Sequence, residues 1–329
     1  MKTSIAMCTY NGARYIQEQL KSILSQTRKV DEIVICDDGS KDETLDIIEH
    51  VTRSSSVTIR VIQNKKNLGF FKNFLQAISL CSGDVIFLSD QDDVWREDKV
   101  EKICDWFNTH EEKEVVFTDA HLLDEHSYEF TQDTLWDRVG FDARKQKYFD
   151  NGYAQEIWAI NNRATGATMA FRRSFVEGND LSSYNLPVHD YIISLLAVVE
   201  DRCGYIKEPL TSYRIHSGQT IGAAEYAPCL YSPLYAYAIG LDNVQYLPAS
   251  ATRRLEFMRK REICYSKRFG CFFVLKNLGS YFTIYGKWWY RFMTYDMYQC
   301  SKRDLNHLGK FLLKPFRWMK RKMMGRVNS

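Results

Sequence analysis

The sequence predicts an α/β fold: a mostly parallel sheet flanked by helices, followed by a helical, basic C-terminal extension. Three observations predict it. Through the first 120 residues, short apolar runs of strand length alternate with helix-period segments, the pattern of successive βαβ units. Each polar cluster in that stretch falls where a predicted strand ends. Basic residues crowd the last quarter, where 19 Lys and Arg face four Asp and Glu from Arg253 onward, whereas residues 1–252 carry 25 against 37.

In chain order, residues 4–8 form the first strand, and residues 15–24 follow with Ile16, Leu20, Ile23 and Leu24 on one helical face. Residues 32–36 make a second strand, and a helix over 44–51 aligns Leu45, Ile48 and Val51. Strands at 57–62, 85–88 and 115–118 alternate with helices at 74–80 and 99–107. Residues 128–162 mix aromatic and charged side chains without either period, and read as a loop or lid. A second apolar block begins at Thr165, and the helix over 190–199 is apolar almost all round, hence buried. Beyond Pro228 the pattern is helical, with Tyr, Phe and Trp among the basic residues and no internal repeat.

A chain of 329 residues is long enough for one large α/β domain with an extension, and 45% hydrophobic with 26% charged residues is the composition of a folded protein. The nine cysteines are scattered, without a C-x-x-C pair or zinc-type spacing, and read as reduced thiols of a cytoplasmic protein. The N-terminal stretch lacks a leader pattern. No run reaches the roughly 20 apolar residues that span a bilayer, since Lys276, Lys287, Arg291 and Asp296 interrupt the longest aromatic-rich stretch. An acidic body with a basic tail suggests an anionic surface as the tail's partner, a membrane or a nucleic acid.

Ligands of open parallel sheets bind beyond the carboxyl ends of the strands. Three such ends carry Thr9-Tyr10-Asn11, Asp37-Asp38-Gly39-Ser40 and Asp90-Gln91-Asp92-Asp93. Three carboxylates in four residues repel one another unless a cation neutralises them, and Mg²⁺ or Mn²⁺ takes such oxygen ligands together with substrate phosphates. The cluster also reads as an acidic turn capping the next helix. A carboxylate at Asp38 could accept from a base or ribose, although the same four residues also make an ordinary capped turn. A dinucleotide-binding oxidoreductase is excluded, because Gly12 stands alone where G-x-G-x-x-G is required. A sugar-nucleotide nucleotidyltransferase would need a glycine- and base-rich phosphate loop after the first strand, which residues 9–15 lack. A phosphotransferase leaves the base-pocket residues without a role. A catalytically silent nucleotide-sugar-binding protein would show a broken acid cluster, and the cluster is intact.

Taken in order, Cys8-Thr9-Tyr10-Asn11-Gly12, Asp37-Asp38-Gly39-Ser40-Lys41-Asp42, Asn67-Leu68-Gly69 and Ser89-Asp90-Gln91-Asp92-Asp93-Val94-Trp95 resemble the family 2 glycosyltransferases. The likeness is to their bacterial rhamnosyltransferase-like members and runs from residue 2 to about 221. It implies a GT-A, Rossmann-like domain over residues 1–225, with a donor half at about 1–120, an acceptor half at about 121–225, and a helical region at 226–329. It implies inverting transfer from dTDP-rhamnose or a UDP-hexose to a hydroxyl of a glycan or lipid-linked acceptor, in bacterial capsule or lipopolysaccharide synthesis. By position, the donor would meet Thr9, Tyr10, Asn11, Asp38, Asn67, Gly69, Asp90, Gln91 and Arg214. Asp92, Asp90 and His216 would hold Mg²⁺ or Mn²⁺, and Gly166, Ala167, Thr168 and His189 would meet the acceptor. Asp190 is then the expected base, and a helix N-terminus suits it by favouring the ionised carboxylate. Without the resemblance, Asp190 reads as a helix cap, His216 as a structural histidine and the Gly166 segment as a packed strand.

The tail interleaves basic residues with Phe316, Trp318 and Met319, which predicts peripheral attachment to the anionic inner face of the cell membrane. A solvated extension or an oligomer contact fits the same residues. Nucleic acid is the weaker partner for a sugar-transfer site.

Overall fold

The computed structural model describes residues 1–158, 162–183 and 188–219, all within the unit Met1–Arg254. The expected helical extension and its membrane contact lie outside the described residues.

The first half follows the sequence closely: β1 (Thr3–Thr9), α1 (Ile16–Leu24), β2 (Glu32–Asp37), α2 (Thr44–Thr52), β3 (Thr58–Gln63), α3 (Phe70–Leu80) and β4 (Val85–Ser89). β1, β2 and β4 are buried along their whole length, as near-continuous apolar runs in a parallel sheet must be. β3 is the edge strand and leaves Val61 45% exposed. Ile5, Met7, Ile33, Ile35 and Phe87 meet Ile16, Leu20 and Ile23 of α1 in the main core.

Next come β5 (Val94–Trp95), α4 (Lys99–Thr109), β6 (Val115–Leu123), β7 (Glu129–Thr134), α5 (Leu135–Val139), α6 (Ala143–Tyr148) and α7 (Ala154–Trp158). The described chain closes with β8 (Met169–Arg172), α8 (Arg173–Glu177), α9 (His189–Val199) and β9 (Cys203–Arg214). Among the described residues, 128–158 therefore hold a strand and a run of short helices rather than a plain loop. The helices are five or six residues long, too short to display a period, and their anchors are local and aromatic. Thr134 and Asp137 form a capping box on α5, and Gly140 ends it with φ 67°. Phe117, Trp136, Phe141 and Trp158 then pack edge to face, with Trp136 and Phe141 centred 5.0 Å apart.

The strand order is β3-β2-β1-β4-β8-β6-β9-β5, with β7 paired to β6. The sheet is parallel from β3 to β4 and mixed beyond, because β8 runs antiparallel to both β4 and β6 while β9 is parallel to β6. β9 escapes a sequence reading because Pro209 interrupts it. The ladder with β6 shifts register where Asp119 faces Pro209, the residue that has no N–H to give.

This topology brings the tips of β1 and β4, the start of β8 and the end of β9 to one end of the sheet. Order reverses between β1 and β4, which puts the switch point at their carboxyl tips. Antiparallel pairing sets the start of β8 beside the end of β4, so residues 166–168 arrive next to residues 90–93. β9, parallel to β6, delivers Arg214 and the residues after it to the same end.

Candidate active site

At the tips of β1 and β2, Asp37 organises the turn from inside. Its carboxylate accepts from Gly39 N–H at 3.1 Å, Ser40 N–H at 2.9 Å and Thr9 Oγ at 2.9 Å. Thr9 is buried and its hydroxyl is committed to Asp37, inside the turn. Tyr10 is 48% exposed, an open aromatic face at the mouth of the site. Asn11 takes φ 48°, and its side chain accepts Lys41 N–H at 2.8 Å. Its conformation is one that Asn tolerates.

Asp38 faces the turn before α3. Its Oδ1 accepts Leu68 N–H at 2.7 Å and Asn64 Nδ2–H at 3.0 Å, and its Oδ2 accepts Gly69 N–H at 2.9 Å. Asn67 closes the same turn by accepting Gly69 N–H at 3.0 Å. Asp38, Asn67 and Gly69 thus form one unit, with Asp38 holding the turn rather than standing free. Gln91 spans the switch point: its Oε1 accepts Tyr10 N–H at 2.8 Å and its Nε2 donates to Tyr10 O at 3.1 Å. Gly12 makes room for this, since a β-carbon there would stand 2.2 Å from Gln91 Oε1.

The acid cluster is gripped from behind. Arg214 is fully buried. Its Nε donates to Asp92 O at 2.7 Å, Nη1 to Ser127 Oγ at 2.8 Å and Asp124 O at 3.2 Å, and Nη2 to Glu18 Oε2 at 2.7 Å. Its backbone N–H donates to Asp93 Oδ1 at 3.0 Å. The guanidinium expected to face a diphosphate is therefore turned inward, where it shapes the loop. His216 reaches the front of the loop, with Nε2 2.8 Å from Asp92 Oδ2. Its Nδ1 accepts Gly218 N–H at 3.2 Å, which leaves the proton on Nε2 to point at Asp92.

Burial, with Asp92 and Asp190 adding repulsion, pushes the Asp90 carboxyl up to about 7. Burial and the neighbouring Asp92 and Asp90 also hold Asp93 well above the usual carboxylate range. The counter-charge is Lys99, which sequence reasoning missed. It is fully buried, donates to Ala167 O and Thr211 Oγ at 2.8 Å each, and lies 3.9 Å over the Trp95 ring. Burial pulls it down to about 7, while Asp93 and Asp90 act the other way. A signal was present: Lys99 lies on the stripe of Ile103 and Phe107, where a lysine is out of place unless paired.

Asp190 opens α9 and is 9% exposed. Its Oδ2 accepts Gly166 N–H at 2.9 Å, and its Oδ1 accepts Asn162 Nδ2–H at 3.1 Å. Burial pushes it up to about 6 against those donors. His189 stacks on Phe74 with centroids 4.1 Å apart, and burial holds it neutral, down to about 3. Neither of its ring nitrogens has a partner among the described residues. Gly166 lies against both residues: a β-carbon there would be 3.1 Å from His189 Nε2 and 3.6 Å from Asp190 Oδ2. Ala167 and Thr168 turn inward, to Lys99 and to Thr165 O.

The sequence-derived residues thus fall into two groups on either side of the β1 tip. Asp38, Asn67 and Gly69 lie toward β2, and Asp90, Asp92, His216, Gly166 and Asp190 toward β4. Cys8, between them, is raised by burial and by both Asp90 and Asp38.

A family model described as Glycosyl transferase family 2 matches residues 4–178. A dTDP-rhamnosyl transferase of Shigella flexneri, RfbG, is 28% identical over 225 residues, covering 66% of this chain and 74% of that protein. An uncharacterized glycosyltransferase of Nostoc sp. is 35% identical over 122 residues, so the chain spans only 37% of its length, and 37% of this chain is covered. Among solved structures, S. aureus TarS in complex with UDP-GlcNAc aligns with a TM-score of 0.56 at 19% identity, covering 84% of this chain and 76% of that one. That last likeness is one of fold.

Proposed function

Because this chain belongs to glycosyl transferase family 2, we propose that it transfers a sugar, with inversion, from a nucleotide diphosphate to a hydroxyl of a glycan or lipid-linked acceptor. One observation carries the reading: a carboxylate with a donor on each oxygen, Asp190, stands at the same sheet end as the acid loop 90–93.

In this reading the acceptor hydroxyl lies against Gly166 and gives its proton to Asp190 as its oxygen bonds the anomeric carbon. The bond from that carbon to the diphosphate breaks on the opposite face. A base with its carboxyl at about 6 is ionised at neutral pH yet basic enough to take the proton, a contribution of about 10²- to 10⁴-fold. Tyr10 offers a face for the base, and Asp38 holds the 67–69 turn beside it.

The family implies a divalent ion, and the residues fit one. Asp92 and Asp90 would supply hard oxygen donors, His216 would orient the Asp92 carboxylate through its Nε2–H, and the charge of Asp92 and Asp190, which adds to burial in pushing Asp90 up to about 7, is what a cation would relieve. Among the described residues no group of three or more His, Cys, Asp or Glu is disposed as a complete cage, and Mg²⁺ commonly takes one or two carboxylates together with substrate phosphates. When bound, the ion would neutralise charge building on the departing diphosphate.

The Shigella relative supports dTDP-rhamnose as donor and the TarS complex keeps UDP sugars open. Capsule or lipopolysaccharide synthesis at the cytoplasmic face of the membrane is the matching setting. Among the described residues no helix is long and apolar enough to cross a membrane.

The test is a panel of dTDP- and UDP-sugars assayed for turnover with and without chelator. The expected result is turnover that chelator abolishes, loss of donor turnover in Asp92→Asn, and retained donor binding with transfer reduced at least about 100-fold in Asp190→Asn. Full transfer by Asp190→Asn would refute the assignment of the base.

A further inference from the structure

We propose that Asn162 is the positioning residue of the base, holding Asp190 in place and favouring its charged form, with Ser194 and Trp158 fixing which way the Asn162 amide faces. The proposal rests on Asp190 as the base and adds the device that sets it.

The orientation of the amide follows from its neighbours. Asn162 Oδ1 receives Ala164 N–H at 3.1 Å and lies 3.1 Å from Ser194 Oγ. A backbone N–H can only donate, so the amide end facing Ala164 is the oxygen. Ser194 agrees: its oxygen accepts Trp158 Nε1–H at 2.9 Å, a group that can only donate, which leaves the hydroxyl proton for Asn162 Oδ1 or, at 3.3 Å, Tyr191 O. The NH₂ end therefore faces Asp190 Oδ1, and flipping it would set donor against donor at Ala164.

An amide NH₂ has no lone pair to offer a carboxylic acid proton, so it opposes protonation of the oxygen it faces and favours the carboxylate. Gly166 N–H does the same at Oδ2. One donor-only group on each oxygen fixes the plane of the carboxylate and holds down the acid form. Opposing this are burial and the carboxyl of Asp90, which faces Asp190 from the tip of β4. Tyr213 of β9 also faces it, and on α9 itself the neutral His189 precedes it, while Tyr191 N–H adds a further donor. Among the described side chains, Asn162 is the one that donates to Asp190, and it is held by Ser194 of α9, which Trp158 of α7 holds in turn.

The experiment is a carboxyl ¹³C titration of the full chain labelled at aspartate, with the Asp190 signal assigned by its loss in Asp190→Asn. Asn162→Ala is expected to raise the Asp190 midpoint by about one unit. Ser194→Ala, which removes one of the two donors that fix the amide and leaves Ala164 N–H, should raise it by less. Asn162→Asp should replace the single step by two linked ones. If Asn162→Ala does not fold, the other two variants carry the test. A midpoint unmoved by every variant that folds overturns the proposal, whatever happens to melting temperature. No sugar transfer is needed for the reading: an enzyme inactive on every donor, with the midpoint shifted as expected, would fault the functional assignment and leave the positioning role standing.

Discussion

The single carboxyl of Asp190 sets the expected pH behaviour. It must be ionised to take a proton, and burial places it at about 6, so kcat/KM should climb tenfold per unit below pH 6 and level off above it. A profile flat from pH 5 to 7 would contradict the assignment. At this scale the sequence was partly readable. Asp38, Asp92 and Asp190 stood out because acids at strand and helix ends have few roles. Asn162 did not, since its meaning comes from Ser194 and Asp190, 32 and 28 residues away and on another element. Arg214 was noticed for its charge, but its inward direction follows from Glu18, 196 residues earlier, which no local pattern encodes.

Two glycines show how elements impose themselves for different reasons. A β-carbon on Gly83 would stand 2.7 Å from Ser4 N and 2.8 Å from Thr3 C, backbone atoms of β1 that cannot yield. Gly83→Ala should therefore destabilise the protein by about 1–3 kcal/mol in urea unfolding. Gly69 meets no atom within 4 Å but holds φ 80° and ψ 152° at the start of α3, so Gly69→Ala costs only the backbone strain, about 1–3 kcal/mol. Equal stability of wild type and Gly83→Ala would show that β1 and β4 tolerate more separation than their register implies. Among the elements, those with a full period were legible: β1 to β4 and α1 to α4 fall where apolar spacing put them. β9, broken by Pro209, and the five-residue helices α5 and α7 were not, because their stability comes from a bulge and an aromatic knot.

Across the whole molecule, crowded acids at one end of the sheet shape the dependence of stability on pH and metal. Asp90 and Asp190 have carboxyls raised above their unfolded values, so their contribution is fully present below those unfolded values and is lost as pH climbs through about 6 and about 7. A bound cation opposes that loss. Mn²⁺ should then raise the melting temperature more at pH 8 than at pH 5.5, and an equal rise at both would argue against ion binding at the acid loop. The parallel half of the sheet was legible as a whole, and with it the end at which the polar clusters gather. The mixed half was not, because the direction of β8 depends on which strands flank it, and those, β4 and β6, both lie more than 40 residues earlier in the chain.

The grip of Arg214 on Asp92 and Asp93 reaches across 122 and 121 residues. A nascent chain can pair β1, β2 and β4 as soon as those strands have left the ribosome, yet the acid loop that follows β4 stays unlatched until the end of β9 emerges. Synthesis thus completes the acid loop after most of the scaffold around it, so a chain terminated before residue 214 would keep the early strands while lacking the clasp that gives the loop its shape.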